Sequence, residues 1–227
     1  MDKLGITMQA YHNSPQLKSD ILATLAAHRA ADEIVKGQYW QDGKGCAVGC
    51  TIKSGNHMAY ESQFGIPVVL AQIEDRIFEG LPNDKAMLWP ERFMSAINVG
   101  ADLSLVGWKF QWWLLTDEAV NPGINHPLVK DAVKLCADAL YPLTKETPAG
   151  WSAARVAARS TALNAARVAE SAALNAARVA TRSTALNGAW SAWSASLAAR
   201  NAAESAAYEK MADKLIDLLA ECGGTNG

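Results

Sequence analysis

The sequence predicts a mainly α protein, built as a helical head over 1–148, an alanine-rich repeat helix over 151–222 and a short tail over 223–227. Three observations carry that expectation. From Trp151 onward the chain repeats itself: ALNAARVA at Ala162–Ala169 returns at Ala173–Ala180, and RSTALN at Arg159–Asn164 returns at Arg182–Asn187. The head spaces its apolar residues at helical intervals between Gly and Pro breaks. No stretch alternates apolar and polar residues between two turns, as half-buried strands do.

The elements follow in order. Ser14-Pro15 reads as a cap and first turn, and Leu17, Ile21, Leu22 and Leu25 keep a helical period that Ile34 and Val35 extend to Lys36. Gly37 then ends the helix. Gly43, Gly45 and Gly49 make a tight segment around Cys46 and Cys50, in which Cys46–Ile52 could be a short strand but has no evident partner. Ser54-Gly55-Asn56 is a turn. Ile66-Pro67 opens a second helix through Leu70, Ile73, Ile77 and Phe78, and Gly80–Asp84 reads as a loop. Trp89-Pro90 opens a third helix, stopped at Gly100. Leu103–Leu115 holds Trp108, Phe110, Trp112 and Trp113, an aromatic density expected of a core. His126-Pro127 introduces a helix over Leu128–Leu140, and Pro148-Ala149-Gly150 marks the boundary to the repeat.

Serines recur along the repeat at steps of eleven or twelve: Ser160, Ser171, Ser183, Ser194, Ser205. Eleven residues make three turns at about 3.67 residues per turn, so each repeat returns to one helix face and predicts a straight or slightly right-handed bundle. Val168, Val179, Leu186, Trp190, Trp193, Leu197, Tyr208, Met211, Leu215 and Leu219 fall within a stripe of roughly 80° on a helical projection. Leu163 and Leu174 lie off it. The stripe keeps its phase through Gly188, which predicts one continuous helix, although Asn187-Gly188 also has the make-up of a C-cap and would then give a helical hairpin. So narrow a seam needs a partner, either the head or the tail of another copy. Thr161 and Thr184 are the remnants of a threonine array, but Ala172 interrupts it, which argues against an ice-binding surface.

Composition removes several function classes. Half of the 227 residues are hydrophobic and the net charge is −2, a balance unsuited to a dedicated nucleic-acid binder. No apolar run is long enough to span a bilayer. The opening MDKLGITMQAYHNSPQ lacks the apolar core of a secretory leader. A cytoplasmic location is therefore expected, with Cys46, Cys50, Cys136 and Cys222 as reduced thiols. No phosphate loop, dinucleotide fingerprint, HExxH or GxSxG occurs.

The chemically suggestive cluster is GKGCAVGC, Gly43–Cys50, with His57 seven residues on and His28 and Asp32 on one helix face upstream. Three readings stand side by side. Cys46, Cys50, His57 and His28 supply two thiolates and two imidazoles, a tetrahedral zinc set. Alternatively, Cys46 is a nucleophile activated by backbone N–H groups, with His28 or His57 as base and Asp32 orienting His28, as hydrolase or acyl-transfer chemistry requires. The plainest reading is structural: small buried Cys and Gly residues let segments approach closely, and no cofactor is held. Glu61, Glu74, Asp75 and Glu79 are weaker candidates for an acid–base pair, set against the reading of Glu74, Asp75 and Glu79 as a solvated helix face, and Cys136 and Cys222 read as inert.

The head resembles a family of uncharacterised phage and bacterial proteins, on HRAADEIVKGQYW (His28–Trp40), DGKGCAVGCTI (Asp42–Ile52) and FGIPVVLAQIEDRIFEGLPN (Phe64–Asn83). The alanine-serine-arginine tail closing on AAYEKMADKLIDLL (Ala206–Leu219) is similar as well. The resemblance implies a cytoplasmic phage or prophage accessory protein and assigns no residue a role. The expected function is protein–protein interaction or self-assembly through the seam around Trp190, Trp193 and Leu197. A small cysteine enzyme or zinc module is the alternative.

Overall fold

Ser14 starts the first helix as its chemistry requires. Its Oγ accepts the Leu17 N–H at 3.2 Å, and Pro15 fills the first helical position, where no N–H is needed. The structure, a computed structural model, describes residues 9–127, 130–145 and 186–223. It is mainly helical. Helix α1 spans Pro15–Ala30 and ends six residues before the expected Lys36. Asp32 takes a left-handed turn (φ 54°), and the chain beyond it runs extended beside Gly45. Val35 N–H donates to the Gly45 carbonyl (2.8 Å) and Gly45 N–H to that of Glu33 (3.0 Å). This pairing buries Ile34, a long-range gain that overrides its helical spacing.

A two-stranded hairpin follows. Strand β1 (Trp40–Gln41) pairs antiparallel with β2 (Lys44–Gly45), in the register Trp40↔Gly45 and Gln41↔Lys44. The connecting Asp42 (φ 52°) and Gly43 (φ 84°) are both left-handed, as a type I′ turn demands. The next segment, open to a strand by sequence, is a helix, α2 (Ala47–Ile52). Gly45 at the end of β2 and Gly49 in α2 both lie directly against the Tyr39 backbone. A Cβ would stand 2.0 Å from the Tyr39 carbonyl oxygen at Gly45 and 1.3 Å at Gly49.

Helices α3 (Ala59–Phe64), α4 (Val68–Gly80), α5 (Asn83–Ala86), α6 (Trp89–Ala96) and α7 (Val106–Thr116) complete the head, α5 replacing an expected loop. Lys18 caps the end of α6, donating to the carbonyls of Ser95 and Ile97 at 2.7 Å each. Helix α8 spans Lys130–Leu140, and α9 spans Leu186–Ala220 with Gly188 inside it. The repeat over 151–185, with Leu163, Val168, Leu174 and Val179, lies outside the described residues. Among the described residues no helix is long and apolar enough to cross a membrane.

The chain divides into two compact units, 1–110 with 208–227, and 111–207. In the first, Leu25, Tyr60, Leu70, Phe78, Trp89 and Phe93 are fully enclosed. The end of α9 is part of this core. Leu215 and Leu219 have no exposed surface, and Ala212 and Leu218 are buried beside them. Arg92 pairs with Asp213 (3.1 Å), Lys85 with Glu209 (2.6 Å), and Asn98 Nδ2 donates to the Cys222 carbonyl (3.0 Å). Gly80 lets Tyr208 approach: a Cβ there would stand 2.3 Å from the Tyr208 ring. The first unit thus combines residues up to 110 with residues from 208 onward. In the second unit α8 buries Val133, Cys136, Ala137 and Leu140, and Trp112 packs on Tyr141 at 5.7 Å between ring centres.

Glu74 does not sit on a solvated face. It is fully buried, accepts the Tyr60 hydroxyl at 2.7 Å through Oε2, and among the described residues its Oε1 finds no partner. Burial pushes its carboxyl up to about 8, so it is largely protonated at neutral pH. The folded state therefore binds a proton that the unfolded chain releases near pH 4.5. Stability from this group is complete below that pH and is lost as pH rises towards 8, by an amount on the order of a few kcal/mol. Glu74→Gln should flatten that slope: thermal melts at pH 5 and pH 8 should differ less for the variant than for the wild type.

Candidate functional site

Cys46 ends the hairpin and caps α2. Its backbone N–H donates to the Gln38 carbonyl (2.7 Å), and its Sγ accepts the Gly49 N–H at 3.5 Å. Only glycine at 45 and 49 lets the Tyr39–Trp40 backbone lie on the helix and fix this geometry. From the other side α4 presents Asp75 and Glu79, four residues apart and so on one face.

Asp75 is the hub. Cys46 Sγ lies 3.5 Å from its Oδ1, while its Oδ2 meets His57 Nε2 at 3.2 Å and the Tyr39 hydroxyl at 3.4 Å. The Tyr39 and His57 rings touch edge to face, 5.7 Å between centres. Gly55 gives Tyr39 its place, since a Cβ there would lie 2.9 Å from the ring. Glu79 accepts the Gly37 N–H through both oxygens (3.0 and 3.1 Å), at a left-handed glycine (φ 75°). One donor atom each from Cys46, Asp75 and Glu79 lies within 4.8 Å of the others. Cys46 is buried, whereas His57 and Asp75 keep 16% and 17% of their side-chain surface, enough for solvent to reach them.

Burial pushes the Cys46 thiol up to about 12, with the neighbouring Asp75 charge adding to the rise and the Gly49 N–H opposing it. Cys50 is raised to about 11, again by burial, and its thiol donates to the Gly45 carbonyl at 3.3 Å. Both are therefore neutral thiols at physiological pH.

The residues expected from sequence are distributed between two places. Cys46 and His57 meet through Asp75. His28 makes its hydrogen bond with Glu33 (Nδ1 to Oε2, 2.5 Å) and packs its ring edge on Trp40, while Asp32 occupies the turn after α1. Among the described residues, the donors of Cys46, Cys50, His57 and His28 do not gather as one four-ligand set. A cysteine nucleophile passes its proton to an imidazole that a carboxylate orients. Here the carboxylate stands between thiol and imidazole, and Cys46 faces Asp75 rather than His28. Asp75, Glu79 and Tyr39 were missed as partners. Their legible signals were the i, i+4 spacing on the second helix and the Asp42-Gly43 hairpin turn.

Comparison with models of known protein families, with curated proteins and with solved structures yields no match.

Two outcomes test this geometry. Gly49→Ala forces a Cβ into the Tyr39 carbonyl and should cost about 3 kcal/mol or more in chemical denaturation, the upper end of overpacking penalties. In native protein at pH 8, alkylation followed by peptide mass spectrometry should label Cys222 well before Cys46 and Cys50, which should react freely only in urea.

Proposed function

We propose that the chain is an interaction and self-assembly protein whose head anchors one end of an alanine-rich helix, the rest of which pairs with other copies. A cytoplasmic phage or prophage accessory role fits this reading. One observation carries it. The apolar stripe of α9 is a packing surface where its surroundings are described, since Leu215 and Leu219 are fully enclosed in the head. Trp190, Trp193 and Leu197 continue that stripe in phase, and their seam asks for a comparable partner. Alanine supports such contact twice, through high helix propensity and by letting helices approach closely.

Removing everything after residue 150 does not test this proposal, because the truncation would also strip Leu215 and Leu219 from the head. The double variant Trp190→Glu/Trp193→Glu in the full chain does. Light scattering coupled to size exclusion should find an oligomer for the wild type and a smaller species for the variant, with a similar helical circular-dichroism signal. A monomeric wild type, or an oligomer indifferent to both substitutions, would refute the assembly.

A further inference from the structure

We propose that Cys46, Asp75 and Glu79 form a binding site for a divalent transition-metal ion of the zinc class, with His57 and Tyr39 holding Asp75 in its ligating orientation. The site is independent of the assembly reading.

Four observations converge. The first is spacing. Tetrahedral zinc with Zn–S of about 2.3 Å and Zn–O of about 2.0 Å sets sulfur and oxygen roughly 3.5 Å apart. Cys46 Sγ and Asp75 Oδ1 are 3.5 Å apart. Three donors no more than 4.8 Å from one another share a centre at most ~2.8 Å from each, so shifts below ~1 Å bring all three to bonding distance. The second is the division of labour on Asp75. Its Oδ2 is taken by His57 and Tyr39, leaving Oδ1 turned to the sulfur. Outer-shell donors orient metal-binding carboxylates in this way.

The third is charge. Two partly buried carboxylates converge on a thiol, yet among the described residues neither pairs with Lys or Arg. The nearby Lys36 is used elsewhere, donating to the backbone carbonyls of Glu79 and Leu81. A cation placed among these donors supplies the missing positive charge. The fourth is chemical type. A sulfur donor favours zinc, cobalt or another borderline metal over magnesium or calcium, which prefer all-oxygen shells.

Binding exchanges one proton. The Cys46 S–H bond breaks, the proton leaves to solvent, and the sulfur electron pair forms the metal–sulfur bond. Three protein ligands leave a coordination position for water, the pattern of a site open to exogenous ligands rather than a closed structural one.

The test uses the full chain, stripped with a chelator and titrated with Co²⁺ as the optical probe and Zn²⁺ as competitor. One equivalent of Co²⁺ should bind with a sulfur-to-cobalt charge-transfer absorption, and Zn²⁺ should abolish it. Cys46→Ser should lose the absorption, whereas Cys136→Ser should keep it. Glu79→Gln and His57→Ala should each weaken Zn²⁺ binding by about 10- to 100-fold. Absence of stoichiometric binding, or an absorption that survives in folded Cys46→Ser, overturns the site. Should Cys46→Ser fail to fold, Glu79→Gln decides: unchanged Zn²⁺ affinity in that variant overturns the proposal equally.

Discussion

The contact on which the head depends is the close approach of the Tyr39 backbone to the glycine side of α2. A carbonyl oxygen lies where any Cβ at Gly45 or Gly49 would have to be. That approach closes the hairpin against the helix and sets Cys46 at its N-terminus. It also swings the Tyr39 ring over His57. Glycine costs conformational entropy in a helix. Here the cost is offset by contacts that reach from the turn after α1 to α4.

Helix α4 connects the parts of the head through its three sides. Leu70, Ile77 and Phe78 face the core with Glu74 among them, protonated because burial disfavours its charged form. Asp75 and Glu79 face Cys46, where solvent access and hydrogen-bond donors keep charge tolerable. Arg76 and Gly80 receive Tyr208, the cation 5.9 Å from the ring centre. Three acidic residues within six positions thus divide between two environments, set by direction around one helix axis rather than by residue type.

The return of the chain to the head has a consequence for stability. Residues beyond 207 supply fully buried leucines to a core whose other members precede 111. The end of α9 and the rest of this core are therefore thermodynamically linked.

Local chemistry made much of the fold legible in advance. Ser14-Pro15, Ile66-Pro67 and Trp89-Pro90 marked helix starts because caps and proline act on their own neighbours. The mainly α class followed from periodicity, and Leu215 and Leu219 were on the predicted stripe. Tertiary structure decided the rest. Ile34 and Val35 kept a helical period but pair with Gly45, since burial beside the hairpin outweighs one more helical turn. Cys46–Ile52 was ambiguous by sequence because a short apolar run suits either geometry, and the Tyr39 contact resolves it as a helix. Glu74, Asp75 and Glu79 looked alike, and only packing separated a buried acid from two candidate ligands. The sequence by itself determined that the chain is helical and that Cys46 and His57 were worth watching. Only the fold could bring Asp75 between them, because that meeting joins residues far apart along the chain, and no local pattern encodes a distance in space.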